Sequence, residues 1–422
     1  MNTMKWYDWL QYGALLLLTA IMTFTWRYAI WAASLLVLVT VVKIVAQRKV
    51  GNPALTTTLR WILYAPIIYW VILALSLLWT NDMAAGWAVL RLKAMLLIFP
   101  LCFLLSDTSY LSRKHLRGIG YTFLISLCFA FAYLIIKAAI SEADSFTAFT
   151  SAYFDGQRDY GVYHHAYIAL YAVAAIIFVY HELVAHWKEF RVWNRILLIV
   201  SLAVMFGYVV VVNSRAGMLA MALVLLCCLL HQMFCLRRWW QAPLVALMLV
   251  AAGMGVVELI PGHQNRITTT LQKVQEEGKD GDARLSINQA SLHAYLKSPL
   301  VGYGVGDYRA KQVEQYGDEG YDYGVNAKFN AHNQYMESLL AAGIPGLLAL
   351  LFVLLSPIWA LWRRRSQYWF PLSLLIVVVM LNFLFESMLE RQMGLLFIGL
   401  VIPLMALIMS GEENKFARMA KS

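Results

Sequence analysis

The chain has 422 residues, of which 61% are hydrophobic and 14% charged, against about 25% charged in an ordinary soluble domain. A water-soluble fold of this size has no way to hide that much apolar surface, so a soluble globule is excluded. The formal net charge of +10 does not point to nucleic acid, because the basic residues form short clusters between long apolar runs and so report topology.

Crossing the hydrocarbon as a helix takes ~20 mostly apolar residues. In chain order such runs fall at 10–26, 28–46, 62–79, 85–106, 120–140, 164–183, 195–213, 217–235, 240–258, 336–358, 369–388 and 393–410. The expectation is an all-α polytopic membrane protein with about 12 transmembrane helices and one large, partly helical external loop. Helices one to nine occupy 1–258, the loop 259–335, helices ten to twelve 336–410, and a tail 411–422. The first apolar stretch meets a second almost at once without a small-residue cleavage site, which reads as a membrane hairpin and not a signal peptide.

Charge gives this layout an orientation. Arg48, Lys49, Arg60, Arg113, Lys114, Arg117, Lys188, Arg191, Arg195, Arg237, Arg238, Arg363, Arg364, Arg365, Lys415, Arg418 and Lys421 fall on one side. The short loops of the other side carry only Arg27, Arg158, Arg215 and Arg391. The positive-inside rule then makes both termini cytoplasmic and the 259–335 loop external. The cysteines Cys102, Cys128, Cys227, Cys228 and Cys235 lie in or beside apolar runs and read as small hydrophobes, not a disulfide or metal framework.

The external loop is long for a connection, and its 8 basic and 9 acidic residues make it neither a polybasic arm nor an acidic tail. Leu285, Ala290, Leu292 and Leu296 are spaced for a short amphipathic helix over 283–297, and a second short helix fits 307–316. Between them, Pro299 precedes Gly302, Gly304 and Gly306. That run lacks the Lys-Ser/Thr ending of a nucleotide loop, and it reads as a tight turn packed on the membrane domain or as amides that help bind an anion. The loop ends in Asn330, His332 and Asn333 and passes directly into span ten. His332 at that mouth is either a hydrogen-bonding interfacial residue or a base able to take a proton from a hydroxyl.

Several cations sit where anions can reach them. Arg215, in VVNSRAG, is pinned between apolar runs, where a guanidinium either snorkels or grips phosphate oxygens. Arg266 and Arg284 are ordinary loop arginines or anion ligands. Arg91 and Lys93 interrupt the external half of span four, and Lys137 lies near the external end of span five. Together they would line an electropositive external cavity suited to a lipid with an anionic head, such as a polyprenyl pyrophosphate. No metal motif stands out: His164 and His165 are adjacent, and HELVAH at 181–186 has the wrong histidine spacing for a zinc helix.

These motifs carry a family resemblance. SRAG at 214–217, the segment from Arg284 to Ala290, PLVGYGVG at 299–306 and HNQYMESLLAAGIPG at 332–346 resemble the O-antigen ligase and polymerase superfamily, on its lipopolysaccharide ligase side. The resemblance implies a membrane fold like those of other lipid-linked sugar transferases, at the periplasmic face of a Gram-negative inner membrane. It implies a donor glycan on undecaprenyl pyrophosphate, a sugar hydroxyl of lipid A–core as acceptor, and inverting transfer without metal or other cofactor. His332 falls on the family's loop histidine and is expected to be the general base. Arg215 and Arg284 match arginines that stabilise the leaving pyrophosphate. Arg91, Lys93, Arg266, Asn333 and Tyr335 are the further expected substrate-binding residues. An O-antigen polymerase or a protein O-oligosaccharyltransferase fits the same donor chemistry. A transporter of anionic lipids or solutes is the remoter alternative, because no internal repeat is evident.

Overall fold

The computed structural model describes residues 4–140, 164–212, 214–237 and 283–419. All regular structure among the described residues is helical, and the protein is an all-α polytopic membrane protein. Eight of these helices are long and apolar enough to cross a membrane, or nine if one bent pair counts as a span. The sequence expectation of about twelve is therefore only partly met. Its ninth span, 240–258, lies outside the described residues, and the helices nearest its first and eleventh spans have only 16 and 17 residues.

The chain divides into two compact units. The first comprises Met1–Thr122, Arg284–Ile376 and Phe383–Ser422. Its helices are α1 (Trp6–Ile21), α2 (Trp26–Gln47), α3 (Thr57–Leu75), α4 (Met83–Leu92), α5 (Met95–Leu105) and the start of α6 (Arg113–Ala139). The second unit, Phe123–Ala283 and Val377–Asn382, holds the rest of α6, then α7 (His165–His186), α8 (Val192–Val212) and α9 (Arg215–Leu230). In it, α7 packs on α8 and α9 and is buried along most of its length. The first unit resumes with α10 (Ala283–Lys297), α11 (Tyr308–Asp318), α12 (Asp322–Ala327), α13 (Gln334–Arg364), both ends of α14 (Trp369–Phe385), whose Val377–Asn382 belongs to the second unit, and α15 (Gln392–Met419).

Around α3 in the first unit pack α13, α5 and α15. Leu59, Ile62, Leu63, Ala65 and Tyr69 of α3 are buried in this contact. The segment expected to be one span at 85–106 is instead the pair α4 and α5, bent by 46° about Lys93 and Ala94. Helix α13 is also broken: Ala342 and Gly343 leave helical geometry, with Gly343 at φ +63°, just ahead of Pro345. A proline disfavours helix in the residue before it and donates no amide hydrogen, so the ladder ends there and restarts.

The polar segment 284–333 covers one end of this unit. Helix α10 spans the expected residues, but Leu285, Leu292 and Leu296 are exposed and its buried face is Ile287, Ala290, Ser291 and Ala294; α11 begins one residue later than expected, and α12 was not anticipated. Arg363, Arg364 and Arg365 lie at the far end of α13. There Arg364 Nη1 donates to Thr56 Oγ1 at 3.0 Å, at the start of α3.

Candidate active site

Local sequence explains how His332 is held. The Asn330 side-chain oxygen accepts from the His332 amide at 3.1 Å, and the backbone of His332 is left-handed, with φ 46°. Histidine and asparagine tolerate this region better than most residues, but it still has to be held. Asn333 holds it from the other side by capping α13, its Oδ1 accepting from the amides of Tyr335 at 3.0 Å and Met336 at 3.1 Å. The Phe329 ring lies 6.1 Å from the imidazole, tilted against it.

The first turn of α13 is clamped to the short turn between α14 and α15. Gln334 Oε1 accepts from the Leu389 amide at 2.6 Å. Glu337 Oε1 accepts from the Ala331 amide at 2.7 Å and from Ser387 Oγ at 3.2 Å. Ser338 pairs with Tyr69 of α3 at 2.9 Å. His332 Nδ1 lies 3.4 Å from Glu386 Oε2, and the Glu386 side chain is 4% exposed.

Behind this clamp is a buried charge cluster. The Lys93 ammonium donates to Glu390 and, at 3.1 Å, to the Leu389 carbonyl. The other Glu390 oxygen accepts from the Tyr308 hydroxyl at 2.9 Å and from Arg309 Nη2 at 2.6 Å. Burial favours the neutral acid of Glu390, but the Lys93 and Arg309 charges outweigh it and hold the carboxyl below its ordinary value. The Tyr308 hydroxyl is pushed up, by burial first and then by the neighbouring carboxylates.

The glycine run serves packing. Tyr303 and Gly304 donate their amides to Leu340 and Ala341 carbonyls freed by the break in α13, at 2.8 and 3.0 Å. Val305 and Gly306 donate to Ser76 Oγ and Thr80 Oγ1, at 3.0 and 3.3 Å. A Cβ on Gly302, which has φ +68°, would meet the Leu340 carbonyl oxygen at 2.6 Å. With these amides committed, the turn-packing alternative holds and the anion cradle does not.

The structure thus brings His332, Asn333 and Lys93 into one assembly, with Tyr335 against Phe383 at a ring distance of 6.2 Å. Lys93 is 3% exposed and points inward to Glu390, whereas the sequence suggested a cation facing an external cavity. Arg91 is exposed in the last turn of α4, where a cation suits the helix dipole. Arg284 is partly exposed near the start of α10. Arg215 is the exposed first residue of α9 in the second unit, where Ser214 caps the helix by accepting from the Gly217 amide at 3.2 Å. Arg266 lies outside the described residues.

Sequence reasoning missed Glu386, Glu390, Tyr308 and Arg309. The signal for the two carboxylates is visible in FESMLER, a pair of acidic residues between apolar runs in a charge-poor chain. HELVAH, set aside in the sequence for its histidine spacing, nonetheless brings potential ligand atoms of His181, Glu182 and His186 at the end of α7 within 4.8 Å of one another. His186 Nδ1 there lies 3.2 Å from Glu189, so the group doubles as a contact at the helix end.

Residues 200–351 match the family model described as O-antigen ligase. The match takes in all four motifs, from SRAG to the AGIPG segment, and shows the superfamily resemblance over that part of the chain. No curated protein gives a significant match.

Proposed function

We propose that this chain, with its O-antigen ligase segment at 200–351, is a glycosyltransferase that moves O-antigen polysaccharide from undecaprenyl pyrophosphate to a sugar hydroxyl of lipid A–core. The observation that carries this reading is His332, fixed in a strained backbone conformation and facing Glu386 at a polar end of the first unit. That end is opposite Arg363, Arg364 and Arg365, which under the positive-inside rule supports a periplasmic placement; the proposed reading takes the membrane as a Gram-negative inner membrane with both termini cytoplasmic.

In this mechanism the His332 imidazole takes the proton of the acceptor hydroxyl. The oxygen attacks the anomeric carbon of the donor's first sugar from the side opposite the pyrophosphate. The carbon–oxygen bond to phosphate breaks, its electron pair leaves with undecaprenyl pyrophosphate, and the anomeric centre inverts. Arg215 and Arg284 supply paired donors to the charge that develops on the leaving group. Arg91, Arg266 and Tyr335 extend the donor site, while Lys93 and Asn333 hold its framework. The leaving group is already activated, so the scheme needs neither metal nor nucleotide.

The test is transfer by purified protein from undecaprenyl-pyrophosphate-linked glycan to lipid A–core, with chelator present, comparing the wild type with H332A. Product from the wild type and none from a folded H332A is the expected result; equal transfer by both sinks the mechanism. Transfer only to a second lipid-linked glycan, or only to a protein serine or threonine, would identify the polymerase or protein-transferase alternative.

A further inference from the structure

We infer that Glu386 is the positioning residue of His332, holding the imidazole in one tautomer and one orientation so that Nε2 is the atom that takes the acceptor's proton. The inference rests on the proposed reading of His332 as a base and deepens it.

The geometry is specific about which nitrogen is engaged. Nδ1 is the ring atom 3.4 Å from Glu386 Oε2. That is long for a hydrogen bond, as hydrogen bonds of catalytic groups often are before substrate closes the site. An Nδ1–H directed at a carboxylate leaves the Nε2 lone pair free, and the same carboxylate stabilises the imidazolium formed once the proton arrives. A histidine facing only neutral groups gains neither effect.

Glu386 is also unable to wander. It begins the turn that closes α14, where the Met388 amide donates to the Glu386 carbonyl at 2.9 Å. The next residues are tied in succession: Ser387 to Glu337, Leu389 to Gln334, and both the Leu389 carbonyl and Glu390 to Lys93. On the histidine side, Asn330 and Asn333 fix the backbone and Phe329 backs the ring. Two anchored segments therefore meet at one carboxylate–imidazole contact.

The neighbouring charged groups do not replace Glu386 in this role. Glu337 directs Oε1 to the Ala331 amide and Ser387. Glu390 is occupied by Lys93, Arg309 and Tyr308. Of these three carboxylates, Glu386 is the one that reaches the ring, at 3.4 Å.

The experiment uses the full-length protein in detergent, as wild type, E386Q, E386D and H332A. It measures kcat and KM for the lipid-linked donor and for the acceptor. E386Q should lose on the order of 100-fold in kcat with little change in KM. E386D, which keeps the carboxylate but withdraws it, should recover part of the kcat that E386Q loses, again with little change in KM. A folded E386Q with unchanged kcat, beside an inactive H332A, overturns this inference alone. An H332A that transfers as well as the wild type overturns the base reading instead.

Discussion

Arg309 of α11 places Nη2 2.6 Å from Glu390 Oε2, bonding the polar segment directly to the turn between the last two helices. Lys93, at the bend between α4 and α5, reaches the other oxygen of the same carboxylate. One buried charge therefore joins three separate stretches of chain beneath the first turn of α13. Lone buried charges are costly, whereas replacing a whole pair can be nearly neutral.

E390Q leaves the buried Lys93 ammonium uncompensated and should destabilise the protein by roughly 3–5 kcal/mol. K93M combined with E390Q should restore much of that loss. Thermal unfolding of the single and double variants in detergent checks this; losses that simply add would show that Lys93 and Glu390 are not coupled.

The pH dependence follows from the lowered Glu390 value, to which burial is opposed and the Lys93 and Arg309 charges contribute. The unfolded carboxyl titrates near the ordinary ~4.3. The folded one stays ionised to lower pH, so its contribution is complete above the ordinary value and is lost as pH falls through the folded value. Unfolding temperature measured from pH 7 down to pH 3 should fall more steeply in the wild type than in E390Q, with the difference confined to the acid end.

Gly343 has φ +63° and ψ −151°, a region closed to other residues, and a Cβ there would meet the Leu300 backbone. G343A should cost at least ~2 kcal/mol and loosen the glycine run from α13. Gly13 of α1 provides the control: nothing lies within 4 Å of its missing Cβ, and G13A should range from neutral to about 1 kcal/mol stabilising. Equal effects at both sites would deny the close packing of 300–304 on the broken helix.

Asn333 accepts two amides at the start of α13, and N333A should cost about 1 kcal/mol through the lost cap. Because the cap adjoins His332, transfer should fall more than global stability does, and N333D should rescue both. A transfer rate unchanged in N333A would separate the cap from the site.

Under the proposed function, R215A should lower kcat by roughly 100- to 1000-fold, as expected for removing a donor to a developing anion. R215K should recover little, since lysine lacks the paired donors of guanidinium. Steady-state kinetics with the lipid-linked donor would decide it, and full activity in R215K would reduce the role to simple charge.

The sequence by itself determined the membrane-helical class, the short helices at 283–297 and after 307, and the candidate residues His332, Arg215 and Arg284. Long apolar runs, amphipathic spacing and helix caps are local signals, and each acts within a few residues. Only the tertiary structure decided that Lys93 turns inward, that span four bends, and that the glycine amides are spent on a broken helix. It alone brought Glu386 to His332, across 54 positions. A charge reads the same in sequence whether it meets solvent, lipid or a distant partner. Which of these it meets depends on desolvation and pairing between segments far apart in the chain.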